Sequence, residues 1–242
     1  ARWLVVRSVG SAEPLFIAST VASIYYFQKN KYLQAGLWGM IAQLTKSTGI
    51  ILFAAYLAYL ILPQLKRIAT SHFSKWYEIL NLKKTLPIYL IPLSLIAVFA
   101  FYGFRMADFW AYFRSGDNIH LFFPPFQIFN YSAAWVGTFW LEEIIFIYLI
   151  GSLGLSRLIK QKAGILAWYV GIFFVSTLFV SHRDLMRYSL PIVPFLYVAF
   201  SEVLTSREFK IAAAVIAVPI YLFSLAYISQ NVMPISNWAP FL

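Results

Sequence analysis

The residues best suited to chemistry in this chain form one short run, Ser181-His182-Arg183-Asp184-Leu185-Met186-Arg187-Tyr188, followed by Leu190-Pro191. A turn between two apolar helices needs no such density of polar groups. Arg183 and Arg187 are one helical turn apart, a spacing that lets two guanidinium forks grip one phosphate. Asp184 suits a partner for either arginine, which is the plainer reading. His182 has the chemistry of a base or a phosphate donor, and equally that of a polar interface residue.

Three further clusters carry polar groups. In Arg7-Ser8-Val9-Gly10-Ser11-Ala12-Glu13-Pro14, Glu13 falls in a first helical turn. A carboxylate there complements the helix dipole, and it serves as well as a substrate ligand, since acids at a membrane interface are costly. Lys46, followed by Ser47-Thr48-Gly49, closes a short helix, where a cation is ordinary dipole compensation or a charge partner for a phosphate. The loop from Arg105 to Pro125 mixes Asp108, Arg114, Asp117 and His120 with Trp110, Tyr112 and Phe113. Its aromatics form an interfacial belt or stack on sugar rings or isoprenoid chains, and Asp117 beside Gly116 serves equally as a turn cap. The loop is favoured as part of a site. Glu142 and Glu143 interrupt an apolar helix, where acids face a bundle interior or sit near the interface if the span begins by Phe139. No glycine-rich nucleotide loop, P-loop, HExxH or Asp-x-Asp pattern occurs, so neither a metal nor a nucleotide cofactor is expected.

The elements that must position these residues are membrane helices. The chain is 61% hydrophobic and 12% charged, with a mean hydropathy of +0.73. A soluble domain carries about twice that charge fraction. Apolar runs predict an all-α polytopic membrane protein with crossings at about 12–28, 32–45, 49–65, 86–104, 132–155, 163–181, 189–205 and 211–229. This reading puts nine of ten lysines on one face and six of nine arginines on the other. The lysine-rich face is then cytoplasmic, both termini are extracytoplasmic, and every polar cluster except the Glu142–Glu143 pair lies on the extracytoplasmic side.

We expect one transmembrane domain over 1–242, with a cytoplasmic amphipathic loop at 66–84 and an extracytoplasmic loop at 105–131. The opening Ala1-Arg2-Trp3-Leu4-Val5-Val6-Arg7 reads as the middle of a longer membrane protein, of which this would be the C-terminal part. The net charge of +10 lies in short loops, which fits membrane lipids as partners and not nucleic acid. With no cysteine, disulfides and thiolate metal sites are excluded.

From Ser11-Ala12-Glu13-Pro14-Leu15-Phe16 the chain runs through Gln34-Ala35-Gly36-Leu37 to Leu44-Thr45-Lys46-Ser47-Thr48-Gly49-Ile50. This resembles the block "S/T-E-x-L-F … A-G … L-T-R/K-x-x-G" of polytopic glycosyltransferases with the GT-C fold. Within them it is most similar to the mannosyltransferases like the second one of GPI-anchor assembly and their bacterial relatives, in the protein O-mannosyltransferase superfamily. His182 through Pro191 is similar to that superfamily's "R-Y-x-L-P" segment.

The resemblance implies transfer of a sugar, mannose first among candidates, from a polyprenyl-phosphate carrier to an acceptor glycan, lipid or protein on the extracytoplasmic face, with inversion. The lipid-linked sugar is then a co-substrate and no cofactor is required. It also implies a catalytic carboxylate in a first outer loop that this sequence does not match, so the general base is unassigned. Glu13, Lys46, Asp108, Arg114, Asp117, His120, His182, Arg183, Asp184, Arg187 and Tyr188 are the substrate-binding candidates.

A multi-span transporter or lipid flippase is the main competing class and a non-catalytic scaffold the third. Transporters tend to show repeats and midplane polar residues, whereas here the polar residues gather towards one surface and no repeat is evident. The sequence favours a bacterial plasma membrane, with an ER membrane as the alternative.

Overall fold

In a computed structural model, residues 4–6, 11–64, 82–114, 121–132, 140–182 and 184–231 are described. They are helical, apart from turns and one isolated antiparallel bridge between Leu121 and Val180. The elements are α1 (Glu13–Gln28), α2 (Tyr32–Thr45), α3 (Ile50–Ile61), α4 (Leu90–Met106), α5 (Ala111–Arg114), α6 (Trp140–Lys160), α7 (Ile165–Thr177), α8 (Leu185–Tyr188), α9 (Val193–Ala199), α10 (Ser201–Thr205) and α11 (Arg207–Asn231). Short 3-10 turns, Ser47–Gly49 and Leu62–Gln64, flank α3. The chain divides into two compact units, Leu15–Phe200 and a second made of Ala1–Pro14 with Ser201–Leu242.

Three stretches of the described helices are long and apolar enough to cross a membrane: Ser47–Gln64, Lys83–Met106 and Arg207–Ile228. Each of the eight expected crossings carries a helix, yet most miss that mark for plain reasons. At 1.5 Å per residue α1 and α2 rise about 24 and 21 Å, short of a hydrocarbon core of roughly 30 Å. Helix α6 has 21 residues but bears Glu142 and Glu143 in its first turn and Arg157 and Lys160 in its last. That polarity matches the helix dipole at both ends. The two acids are therefore helix-start residues, Glu142 exposed and Glu143 half-buried.

In the larger unit, α1 stops at a left-handed Asn30 (φ 57°). The N–H of Lys31 donates back to the Tyr26 carbonyl at 2.9 Å, closing the α1–α2 turn. Small residues then let helices touch. A Cβ at Gly36 would stand 2.1 Å from the Pro87 carbonyl oxygen, and one at Gly39 2.5 Å from Ile91 Cδ1, so α4 runs alongside α2 in the same direction. Helix α7 packs along α3 and antiparallel to it, since Gly164 at its start meets the Tyr59 ring near the end of α3. Gly151 and Gly154 of α6 receive Phe174 and Leu196 in the same manner. Thus α2, α4 and α7 all terminate at one end of this unit, where α6 begins.

In the smaller unit, Ser206 caps α11 by accepting the Phe209 N–H at 3.2 Å. Val215 and Val218 on that helix are 71% and 63% exposed, the side-chain distribution of a helix that meets lipid. Ser11 donates to the Val6 carbonyl at 2.8 Å, with Val5 and Val6 buried.

Candidate functional site

The site lies at the end of the larger unit where α2 and α7 stop. Helix α2 ends because Lys46 turns to extended backbone (φ −147°, ψ 136°), while its N–H still donates to Ala42 O at 3.0 Å. The next turn folds under it: Gly49 N–H donates to Lys46 O at 2.9 Å, and Gly49 lies so close that a Cβ would be 2.5 Å from Gln43 Cα. The Lys46 side chain is thereby held at the helix end.

From the far side comes the 178–188 segment. Helix α7 closes through Leu178 and Phe179, and the strap at 121–129 ties itself there. Phe122 N–H donates to Phe179 O and Phe126 N–H to Leu178 O, both at 2.8 Å. Beneath them Ile128, Ile144, Val180 and Leu185 form a buried cluster, against which Tyr148 and Tyr188 pack. Leu185 is fully buried. It anchors the single turn of α8, so that Arg187 and Tyr188 are fixed by apolar packing beside them.

On this base three candidate side chains, Lys46, His182 and Tyr188, meet. Lys46 Nζ stands 5.3 Å from the centroid of the Tyr188 ring, within cation–π range. The His182 ring meets Tyr188 edge-on at 5.0 Å. His182 Nδ1 accepts the Asp184 backbone N–H at 3.0 Å, so in the neutral imidazole the proton sits on Nε2. Arg187 precedes Tyr188 in the same turn, its N–H donating to Asp184 O at 2.9 Å. Lys46, His182, Asp184, Arg187 and Tyr188 are all half-buried. The side-chain set at Tyr188 offers an ammonium and an imidazole N–H, with Arg187 the preceding residue of the same turn. Such a set binds anions with several acceptor oxygens.

The remaining candidates fall elsewhere. Asp108 and Arg114 form an ion pair with each other, and Asp108 also accepts the Trp110 N–H at 2.9 Å. Left-handed Ala107 (φ 54°) ends α4 and folds α5 back on it. Phe109, Trp110, Tyr112 and Phe113 then surround Phe99, with ring centroids 5.3–6.1 Å away. Glu13 belongs to the smaller unit, buried in the first turn of α1. Asp117, His120 and Arg183, and nearly all of the 66–84 loop, lie outside the described residues.

Two features escape sequence reasoning. The first is the strap, whose apolar Ile128 supports the site; its signal is a buried aliphatic within an aromatic loop. The second is a set of buried polar side chains between helices: Ser19, Thr20, Ser23, Gln43, Tyr56 and Tyr169. Serine and threonine recurring at one-turn spacing in the apolar α1 would have marked it.

No protein-family model matches the chain, and no curated protein or solved structure matches it. The fold and composition define a class, a helical membrane protein.

Proposed function

We propose that this chain is a membrane glycosyltransferase that moves a sugar, with mannose the leading candidate, from a polyprenyl-phosphate carrier to an acceptor on the extracytoplasmic face. The observation that carries it is the convergence of Lys46 with His182 and Tyr188 at one end of the helical unit. In the full reading the chain crosses the membrane eight times and this end faces away from the cytoplasm. An acceptor hydroxyl attacks the anomeric carbon, the bond from that carbon to the phosphate oxygen breaks, and polyprenyl phosphate departs with the electron pair. Charge develops on the phosphate, where Lys46, Arg187 and the His182 N–H stabilise it. The hydroxyl proton passes to a base that these residues do not identify. Membrane lipids hold the carrier chain beside the site, and Arg183, Asp184, Asp117 and His120 remain candidates for headgroup or sugar contacts.

The test is transfer of radiolabelled sugar from polyprenyl-phosphate-mannose in membranes carrying the full chain. Wild type transfers, and Arg187→Ala transfers about a hundredfold more slowly, the usual effect of losing one such donor. No transfer from mannose or from any other polyprenyl-phosphate sugar sinks the reading. A lipid flippase would then be the better account, and the polar side chains inside the helical unit are what favour it.

A further inference from the structure

Inside the larger unit six polar side chains on four helices are at least 96% buried: Ser19, Thr20 and Ser23 of α1, Gln43 of α2, Tyr56 of α3 and Tyr169 of α7. One branch of this set is complete. Ser23 Oγ donates to the Ala35 carbonyl at 2.7 Å, so at its 2.7 Å contact with Tyr56 it accepts the phenol's proton. The other branch is not. Ser19 Oγ and Gln43 Oε1 have no hydrogen-bond partner among the described residues, and the Thr20 and Tyr169 hydroxyls have at most each other. These groups fall in two pairs. The Thr20 hydroxyl stands beside the Tyr169 phenol, which in turn lies near Tyr56. Gly39 faces Ser23, with its would-be Cβ 3.2 Å from Ser23 Oγ. In an antiparallel hairpin that register sets Ser19, one turn earlier, level with Gln43, one turn later.

In hydrocarbon each unsatisfied polar group costs several kcal/mol, so Ser19 Oγ and Gln43 Oε1, with the under-satisfied Thr20 and Tyr169 hydroxyls, imply a polar occupant. The set offers three hydroxyls, which can donate or accept, and one amide oxygen, which accepts only. None of the six is charged. Neutral groups of mixed donor and acceptor character are the partners of water, which makes about three hydrogen bonds when buried. We propose that the interior of α1, α2, α3 and α7 holds a bound-water cluster hydrogen-bonded to Ser19, Thr20, Gln43 and Tyr169. This inference does not depend on the reaction assigned above.

The test uses the purified full chain in detergent and two measurements. X-ray radiolytic labelling generates hydroxyl radicals from bound water, so Tyr169 should gain oxygen in a dose-dependent way although its ring is fully buried. An unlabelled Tyr169, with exposed Tyr131 labelled as the positive control, overturns the proposal. Thermal unfolding of Ser19→Ala and Gln43→Leu supplies the second reading. Where water satisfies these groups, each substitution lowers Tm by about 2–4 °C. A dry interior reverses the sign, because each change then deletes an orphaned polar group, and an unchanged or raised Tm overturns the proposal. A Tm raised by sodium over potassium chloride, and lost in Gln43→Leu, overturns it in favour of a cation. If either variant fails to fold, labelling of the wild type still decides.

Discussion

The Lys46 ammonium lies 5.3 Å from the Tyr188 ring centroid while the His182 ring meets the same tyrosine edge-on at 5.0 Å. One aromatic ring therefore sets the positions of two potential phosphate donors that come from the ends of different helices. A phenylalanine ring would hold both contacts, because neither needs the phenol oxygen. Under the proposed transfer reaction, Tyr188→Phe should stay within about threefold of wild type. Tyr188→Leu removes the ring, and the lost cation–π contact of about 1–2 kcal/mol corresponds to roughly a tenfold rise in KM for the lipid donor. Equal losses in both variants would instead place the phenol itself against substrate.

Backbone proximity makes a sharp prediction at Gly36. A methyl there would collide with the Pro87 carbonyl, a backbone group that cannot swing away. Overpacking of this kind costs about 1–3 kcal/mol, so Gly36→Ala should lower Tm by several degrees. Gly103→Ala is the control, since its nearest neighbour would be Phe109 Cα at 3.6 Å, an ordinary contact. Its Tm should stay level or rise with the better helix propensity of alanine. Matching falls in the two variants would contradict the α2–α4 packing.

Asp108 and Arg114 are paired at an exposed surface, and exposed pairs contribute about 0.2–1 kcal/mol. Asp108→Asn keeps an oxygen for the Trp110 N–H, so its Tm should fall by no more than a few degrees. Transfer should hold near wild type if the pair serves the loop alone. A selective loss of transfer, with Tm unchanged, would return both residues to the substrate-binding set.

The helices were legible in the sequence because apolar runs and their breakers are local features. Asn30, Lys46 with Gly49, and Gly164 stop or start helices where the chain shows a turn residue or a charge. The polar density at 181–188 was legible for the same reason. The contact between Lys46 and Tyr188 was not, since it depends on α2 and α7 ending at one level, which packing decides. The inward polar side chains of α1 were harder to read for another reason. That helix, Glu13–Gln28, is mostly apolar on every side, so only the one-turn spacing of Ser19, Thr20 and Ser23 marks the face that turns inward. The pairing of Asp108 with Arg114 required the left-handed Ala107 that folds α5 back, a conformation alanine rarely signals.

Phe126 gives the most discriminating test of the strap beneath the site. Its φ of 68° is left-handed, which costs a residue with a Cβ about 1–2 kcal/mol. The strain is held by the N–H bond to Leu178 O and by the ring's edge contact with Tyr148 at 5.9 Å. Phe126→Ala loses the ring and keeps the strain, whereas Phe126→Gly loses the ring and releases it. The glycine variant should therefore be the more stable of the two by about 1 kcal/mol, the reverse of their usual order in a helix. Thermal unfolding of the pair reads this directly. An alanine variant as stable as the glycine variant would mean that the strap relaxes away from the left-handed conformation, and that the 178–188 segment is held by its own packing instead.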